Sequence, residues 1–278
     1  VFREKDLERF SGTLAGKGIR RIEGKLIGDG SLMDSVFWGP GWSWDDPPYS
    51  FQPYLSPLML NRGCVEVTVQ PAAKGLQGTV EVSPSSDYYQ VENRSVSRTP
   101  SAGKLVITRD WLEQGNRIQV AGCISAKRTK TLNLYDSKAF FLETFRYQLA
   151  NRGIQVDSVG YGECPIGAKE LVRCTHPLTD VLKVTLKKSD NLAAEALFYH
   201  VGKHGTDKGG SLGNLDGQVA IRKYMKELGG MDPDRYSIAD GSGVSLYNYI
   251  SPHLLLSYLN YAYLHPVIFQ PVYDCLPI

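Results

Sequence analysis

The chain has 278 residues, of which 42% are hydrophobic, so it is long and apolar enough to form one large domain or two ordinary ones rather than a disordered segment. Its 31 basic and 29 acidic residues leave a formal net charge of +2, which offers no electrostatic basis for binding nucleic acid or an anionic membrane surface. The longest apolar stretches are far shorter than the roughly twenty residues that a membrane-spanning helix needs, and we expect no targeting signal in the opening residues.

A helix followed by a strand is predicted at two places in the chain. Apolar residues at helical spacing predict a helix over residues 7–15, and the alternating residues 19–27 predict a strand after it. The same order recurs with a helix over residues 140–149 and an extended run over residues 154–159. These two helix-strand units flank the segment between them.

That segment, from about residue 28 to residue 134, consists of short alternating runs separated by glycine and proline, which is typical of a β-rich module. The clearest strands are predicted over residues 64–69, 79–82, 104–108 and 117–120. Trp42 and Trp44 lie in a Gly- and Pro-rich loop and could stack on sugars, but we expect them to pack this loop against the β-rich module.

From Ile166 onward the apolar spacing becomes helical. Helices are predicted over residues 178–185, from the run 189–191 to residue 201, over residues 218–228 and over residues 252–264. Ser251 is a good cap for the last of these, and Pro252 suits its first turn. The sequence therefore predicts an α+β fold, with a β-rich module and its flanking units over residues 1–165 and a mostly helical domain over residues 166–278.

The cysteines and histidines do not indicate a metal site. The five cysteines are too scattered for a disulfide scaffold or a zinc site, although a bridge between Cys164 and Cys174 stays open beside the alternative of reduced thiols. His200 and His204 are four residues apart, but no third ligand is suggested and Gly202 is predicted to end the helix between them. We therefore expect no metal and no organic cofactor.

Two short polar runs could carry chemistry. Ser189, Asp190 and Asn191 are all residue types that cap helices, so this run could simply begin a helix. Residues 240–245 read Asp-Gly-Ser-Gly-Val-Ser, and here Asp240 could simply cap its own backbone in a tight turn. Residue types alone favour these structural roles over a catalytic one.

The surroundings of both runs resemble a known enzyme family. Residues 182–197 are similar to the second motif of the D-alanyl-D-alanine carboxypeptidases and endopeptidases, the class C low-molecular-mass penicillin-binding proteins. Residues 238–245 resemble that family's Asp-Gly-Ser-Gly-Leu-Ser segment, and residues 22–29 and 39–46 resemble the start of the module that the family inserts in its transpeptidase domain. The resemblance runs nearly from end to end.

The resemblance implies a periplasmic or otherwise extracytoplasmic serine peptidase that cleaves peptidoglycan stem peptides ending in D-Ala-D-Ala through an acyl-enzyme, and that binds β-lactams as a full-length protein. Ser189 would relay a proton, and the Asn191 amide would contact both the substrate carbonyl and the catalytic Lys. Asp190 would support the turn between them. The substrate-binding residues implied by the resemblance are Asp29, Asp240, Gly241, Ser242, Gly243 and Ser245. Its residue type alone favours Asp29 as an ordinary turn residue.

Two signatures of the family do not occur where they are expected. The sequence has no Lys-Thr-Gly, and its one Ser-x-x-Lys match, residues 101–104, falls in a predicted hairpin turn rather than on a helix. We therefore expect an internal fragment, in which residues 1–165 are the inserted module and residues 166–278 are the helical, incomplete part of a β-lactamase-like transpeptidase domain. Such a fragment would be inactive alone. Leu246 stands where the family often has a basic residue, so the stem-peptide preference stays open.

The missing signatures also leave two other functions open. One is a non-catalytic module that binds peptidoglycan or interacts with other envelope proteins, and in it Ser189 and Asn191 would serve recognition alone. The other is a purely structural β-rich module on a degenerate helical base, which would contact other envelope proteins.

Overall fold

The computed structural model describes residues 2–46, 48–98, 103–206 and 210–277. The Ser-x-x-Lys match at residues 101–104 therefore begins outside the described residues. Across the described part of the chain, no helix has both the length and the apolar composition needed to cross a membrane.

The chain divides into two compact units. The larger unit comprises Phe2–Gly30 and Asp46–Cys174, and the smaller unit comprises Ser31–Asp45 and Thr175–Ile278. The larger unit therefore ends after Cys174, whereas the sequence placed the boundary after residue 165. The larger unit is also interrupted along the chain by Ser31–Asp45, which belongs to the smaller unit. Sequence periodicity could not reveal this grouping, because Ser31–Asp45 forms no helix and no strand of its own.

The larger unit contains two helices and eight strands among the described residues. They are α1 (Glu4–Gly16), β1 (Arg21–Gly28), β2 (Cys64–Gln70), β3 (Thr79–Ser83), β4 (Gln90–Ser97), β5 (Val106–Arg109), β6 (Arg117–Ile124), β7 (Arg128–Asn133), α2 (Ser137–Asn151) and β8 (Gln155–Tyr161). The predicted helices and strands of this region are confirmed, and β4 and β7 are additional.

The two predicted helix-strand units come together in the fold. Strands β1 and β8 pair in parallel, from Arg21 opposite Gln155 to Gly28 opposite Tyr161. Helices α1 and α2 contact one another, and α2 packs on both strands. The remaining strands form an antiparallel sheet of order β3-β2-β7 and a mixed sheet of order β4-β6-β5.

The core of the larger unit joins the helices to these sheets. It contains Leu7 of α1, Val67 of β2, Ile118 of β6 and Phe140 of α2, all fully buried. Such interdigitation of apolar side chains from several elements is what makes the unit a single hydrophobic core.

A buried arginine of β5 also forms hydrogen bonds with β7 and with the loops that contain Tyr54 and Gly115. Arg109 of β5 is only 1% exposed. Its guanidinium donates to the backbone carbonyl of Asn133 at 2.8 Å and to its side-chain oxygen at 2.9 Å. Further bonds reach the Gly115 carbonyl at 2.9 Å and the Tyr54 hydroxyl at 3.3 Å. The planar fork of the guanidinium is suited to hold several acceptors at once.

The smaller unit is mainly helical. Its helices are α3 (Leu178–Lys188), α4 (Asn191–Gly205), α5 (Asn214–Gly229), α6 (Pro252–Leu264) and α7 (Pro266–Tyr273). The Ser251 side chain accepts from the Leu254 amide and Pro252 occupies the first turn of α6, as the sequence predicts. Cys164 and Cys174 are thiols that form no disulfide bridge, as are the other three cysteines.

The prediction that Gly202 ends its helix is wrong, because α4 continues to Gly205. The glycines serve close packing instead. A Cβ at Gly202 would lie 2.7 Å from the backbone nitrogen of Gly217 in α5, and a Cβ at Gly205 would lie 2.5 Å from the Ala220 Cβ. The two helices can therefore approach closely only because both positions lack side chains.

Candidate active site

The junction of α3 and α4 holds Ser189 in an unusual backbone conformation. Its φ of 51° and ψ of 49° are left-handed, and its backbone N–H donates to the Thr185 carbonyl. Ser189 therefore ends α3 rather than capping α4, and its side chain is exposed. A left-handed serine costs about 1–2 kcal/mol relative to a right-handed one. Such strain often marks positions where function fixes a side chain.

Asp190 is the residue that caps α4. Its Oδ1 accepts from the Ala193 amide at 2.9 Å, and the residue is only 6% exposed. Asn191 follows as the first residue of α4 and is half-buried. The buried aspartate thus fixes the turn, and the serine and the asparagine lie on either side of it at partly accessible positions.

Residues 240–245, called the Asp240 loop below, are organised around one buried carboxylate. Asp240 is 4% exposed, and its Oδ2 accepts from the Trp42 indole Nε1 at 2.7 Å and from the Ser245 amide at 2.7 Å. The Ser242 hydroxyl donates to the same oxygen at 3.3 Å. A side chain from residues 31–45 therefore contributes to this loop.

The other oxygen of Asp240 closes the turn. Oδ1 accepts from the Gly243 amide at 2.8 Å and from the Asn248 side-chain nitrogen at 2.7 Å. The Asn248 side-chain oxygen in turn accepts from the Ala239 amide at 2.7 Å. Five donors thus converge on one carboxylate, which makes Asp240 the structural centre of the loop.

The Asp240 loop rests directly on α4 through Glu195. This glutamate is 1% exposed, and its Oε1 accepts from the amides of Gly241 at 3.1 Å and Ser242 at 2.8 Å. Its Oε2 is buried with no hydrogen-bond partner among the described residues. Burial raises the pKa of Glu195 and the charge of Asp240 adds to this, while the bonds from residues 241 and 242 oppose it in part.

The predicted substrate-binding residues divide into buried and accessible ones. Asp240 and Ser245 are buried, and the Ser245 hydroxyl accepts from the Tyr247 amide at 3.1 Å. Both therefore shape the loop from inside. Gly241 and Gly243 are exposed and Ser242 is half-buried, so these three residues make the surface that the loop presents.

Asp29 belongs to the other compact unit. It follows β1, and its Oδ2 accepts from the Cys164 amide at 2.8 Å, close after the end of β8. This bond links the segments that follow the two paired strands. It is the contact expected of a turn aspartate.

Sequence reasoning missed two residues of the site. Glu195 lies four residues after Asn191 on a largely apolar helix, and a single acidic residue at that spacing was the available sequence signal. Trp42 is 6% exposed and bonds to Asp240, a contact that the sequence did not indicate. Nothing local in the sequence connects Trp42 with a residue 198 positions later.

Comparison with known proteins gives a consistent picture. The chain is 28% identical over 274 residues to the D-alanyl-D-alanine carboxypeptidase of Actinomadura sp. (strain R39), covering 93% of this chain and 50% of that protein. It is 29% identical over 259 residues to the D-alanyl-D-alanine carboxypeptidase DacB of Haemophilus influenzae, covering 89% of this chain and 52% of that protein. The chain therefore spans about half the length of the curated relatives that it matches.

The fold is also that of a solved protein. The crystal structure of penicillin binding protein 4 (dacB) from Haemophilus influenzae matches with a TM-score of 0.81 at 23% identity, over 100% of this chain and 61% of that one. A second crystal structure of that protein, complexed with a novel β-lactam, matches with a TM-score of 0.73 at 21% identity, over 100% of this chain and 60% of that one. The family model described as D-Ala-D-Ala carboxypeptidase 3 (S13) matches residues 1–278, and the chain therefore belongs to that family.

Proposed function

We propose that this chain is part of a serine D-Ala-D-Ala carboxypeptidase or endopeptidase that cleaves peptidoglycan stem peptides through an acyl-enzyme. The observation that carries the proposal is the α3–α4 junction. There Ser189 is held in a left-handed conformation with its side chain exposed, beside Asn191 at the start of α4. Membership of the family supports the reaction class.

The chemistry requires two proton movements. A serine nucleophile must lose a proton as it attacks the amide carbonyl, and the departing amine must gain one. A hydroxyl such as that of Ser189 can pass a proton because it both donates and accepts. The Asn191 amide can donate to the substrate carbonyl and accept from a lysine at the same time. Asp190, whose carboxylate is occupied in capping α4, takes no part in the proton transfer.

The Asp240 loop would form one wall of the same site. Its accessible residues are Gly241, Ser242 and Gly243. The Gly241 and Gly243 amides bond to Glu195 and Asp240, so the backbone carbonyls and the Ser242 hydroxyl are the groups that could accept hydrogen bonds from the peptide backbone of a stem. Buried Asp240 and Ser245 would act by keeping that backbone in place. Asp29 would serve the structural contact already described rather than bind substrate.

We also propose that the nucleophile and the Lys-Thr-Gly strand come from chain outside residues 1–278. The relatives being about twice as long supports this, and so do the exposed apolar residues of α6. Leu255, Leu256, Leu259, Tyr263 and Leu264 are each more than half exposed. An apolar patch of this kind is commonly covered by further protein. In this arrangement Phe2–Gly30 and Asp46–Cys174 would be the inserted module.

The test is acylation by a β-lactam, followed by intact-mass measurement. We expect the protein from the complete coding sequence to gain one adduct, and the 278-residue chain to gain none. Ser189→Ala and Asn191→Ala should each slow adduct formation by about 10²-fold or more. The control variants Ser257→Ala and Asn260→Ala, both on α6, should react at the wild-type rate.

Other outcomes would point elsewhere. An adduct on the 278-residue chain would show that its own residues supply a nucleophile. A complete coding sequence with no Lys-Thr-Gly and no Ser-x-x-Lys beyond residues 101–104 would favour a non-catalytic peptidoglycan-binding or envelope interaction module. The lack of Lys-Thr-Gly in residues 1–278, and of a Ser-x-x-Lys on a predicted helix, favours that alternative. Binding of peptidoglycan without hydrolysis would then be the measurement to make.

A further inference from the structure

Glu195 is a deeply buried ionisable group of the smaller unit that the mechanism above does not use. It lies four residues after Asn191 on α4, and residues at this spacing share one helix face. Its carboxylate oxygen Oε1 accepts hydrogen bonds from the two backbone amides that directly follow Asp240. One side chain thus connects the helix that begins with Asn191 to the loop that would contact the substrate.

The contact is close enough to set the position of the loop. A Cβ at Gly241 would lie 2.5 Å from the Phe198 Cβ and 2.7 Å from the Ala194 carbonyl oxygen, so the loop backbone lies directly on α4. No side chain can fit between them. The two hydrogen bonds that Glu195 accepts from the loop amides then determine where along the helix the loop is held.

The position of Glu195 requires a hydrogen-bond acceptor but not a charge. The charge that acts on Glu195 is that of Asp240, so the carboxylate is buried beside another acid. Burying a carboxylate is unfavourable unless its hydrogen bonds compensate. Only one oxygen of Glu195 has such bonds among the described residues. What the position requires is therefore an acceptor at Oε1, and a neutral amide supplies the same acceptor.

We propose that Glu195 is a positioning residue, which fixes the Asp240 loop relative to Asn191 and thereby sets how the stem peptide is bound. This inference rests on the proposed function for its effect on substrate. Glu195 itself touches neither substrate nor nucleophile. Its influence passes through the amides of Gly241 and Ser242.

The first experiment concerns the loop alone and uses the 278-residue chain. Amide hydrogen exchange of Gly241 and Ser242 should accelerate by about 10-fold or more in Glu195→Ala, because both amides lose their acceptor. Glu195→Gln keeps an acceptor oxygen and should retain protection. Glu227→Ala, at an exposed glutamate on α5, is the matched control and should change nothing. Equal protection in Glu195→Ala and in the wild type would overturn the anchoring contact.

The second experiment uses the protein from the complete coding sequence and a peptide ending in D-Ala-D-Ala. Glu195→Ala should raise KM by about 10-fold or more while kcat changes less than about 3-fold, because a misplaced binding wall weakens substrate binding. Glu195→Gln should restore a KM within about 3-fold of the wild type. A merely structural role would instead reduce the active fraction, lowering the apparent kcat at unchanged KM.

The two experiments fail in different ways. Wild-type protein without activity would overturn the proposed function and leave the exchange result for Glu195 intact. Active wild type together with unchanged KM in Glu195→Ala would overturn the positioning role and leave the proposed function intact. A Glu195→Gln variant that fails to restore KM would also overturn the positioning role, since the amide retains the acceptor.

Discussion

The Asp240 carboxylate accepts five hydrogen bonds. The substitution Asp240→Asn replaces one of its two acceptor oxygens by an NH₂ group, which can only donate. The amide is nearly the same size as the carboxylate, so packing is preserved and only the hydrogen bonds change. In one orientation the new NH₂ group faces the Trp42 indole N–H and the Ser245 amide. In the other it faces the Gly243 amide and the Asn248 side-chain nitrogen. In the first orientation the Ser242 hydroxyl also faces the NH₂ group, but a hydroxyl can turn to accept from it. Either way, two N–H donors lose their acceptor.

The magnitude follows from this count. A buried donor left without an acceptor costs about 1–3 kcal/mol, so two of them should lower the free energy of unfolding by about 2–6 kcal/mol. Asp240→Ala removes all five bonds, but the donors nearest the surface can then bind water. We therefore expect Asp240→Asn to be about as destabilising as Asp240→Ala. Ser242→Ala removes only the 3.3 Å bond and should cost less than about 1 kcal/mol.

Urea denaturation of the 278-residue chain would measure these differences, with amide exchange at Gly243 and Ser245 as a local probe of the Asp240 loop. Local exchange matters because two compact units need not unfold in a single transition. Asp240→Asn with a stability within about 1 kcal/mol of the wild type would refute the reasoning. It would mean that the five bonds do not depend on a charged, acceptor-only group.

Three further substitutions test other parts of the structure. Arg109→Lys should lower the free energy of unfolding by about 2–4 kcal/mol in urea denaturation, because one ammonium cannot replace the fork that binds four acceptors. For Glu195, whose folded-state pKa is raised by burial, the stability it contributes is complete below the ordinary glutamate pKa and is lost as the pH rises through the folded value. Wild type should therefore lose stability relative to Glu195→Gln between acidic and neutral pH, and parallel pH profiles would contradict this. Gly241→Ala should cost about 1–3 kcal/mol in thermal melts because its Cβ would clash with α4. The control Gly12→Ala, in the open interior of α1, should instead stabilise by about 0.5–1 kcal/mol.

Elements with strong local signals could be predicted from the sequence. Helix α6 begins where Ser251 and Pro252 indicate, because a cap and a first-turn proline act through adjacent backbone groups. Strand β2 shows the expected run of buried valines. Strand β4 was not predicted because its polar sequence, Gln90–Ser97, lacks clear alternation and is stabilised by pairing with β6. Helix α7 was not predicted because Pro266 and Pro271 argue against a helix there.

Two helix ends were predicted wrongly, and the cause is different. Gly202 has the local character of a helix end, yet it lies inside α4 because α5 approaches too closely for any side chain. Ser189 has the character of a helix start, yet it ends α3 in a left-handed conformation because Asp190 is the cap of α4. In both cases a neighbouring element determined the outcome, and local propensity was overridden. The family prediction was confirmed because it depended on several motifs in a fixed order rather than on one residue.

The candidate site shows the same division between local and distant determinants. Ser189 and Asn191 could be found from the sequence because their spacing is part of a motif, and Asp240 because glycines surround it. The contacts that hold these parts together join Glu195 to Gly241 across 46 positions and Trp42 to Asp240 across 198. A substitution at Trp42 or Glu195 should therefore disturb the proposed substrate wall without altering any motif residue. Motif searches alone would not identify such variants as defective, because the geometry of the motif depends on side chains that lie outside it.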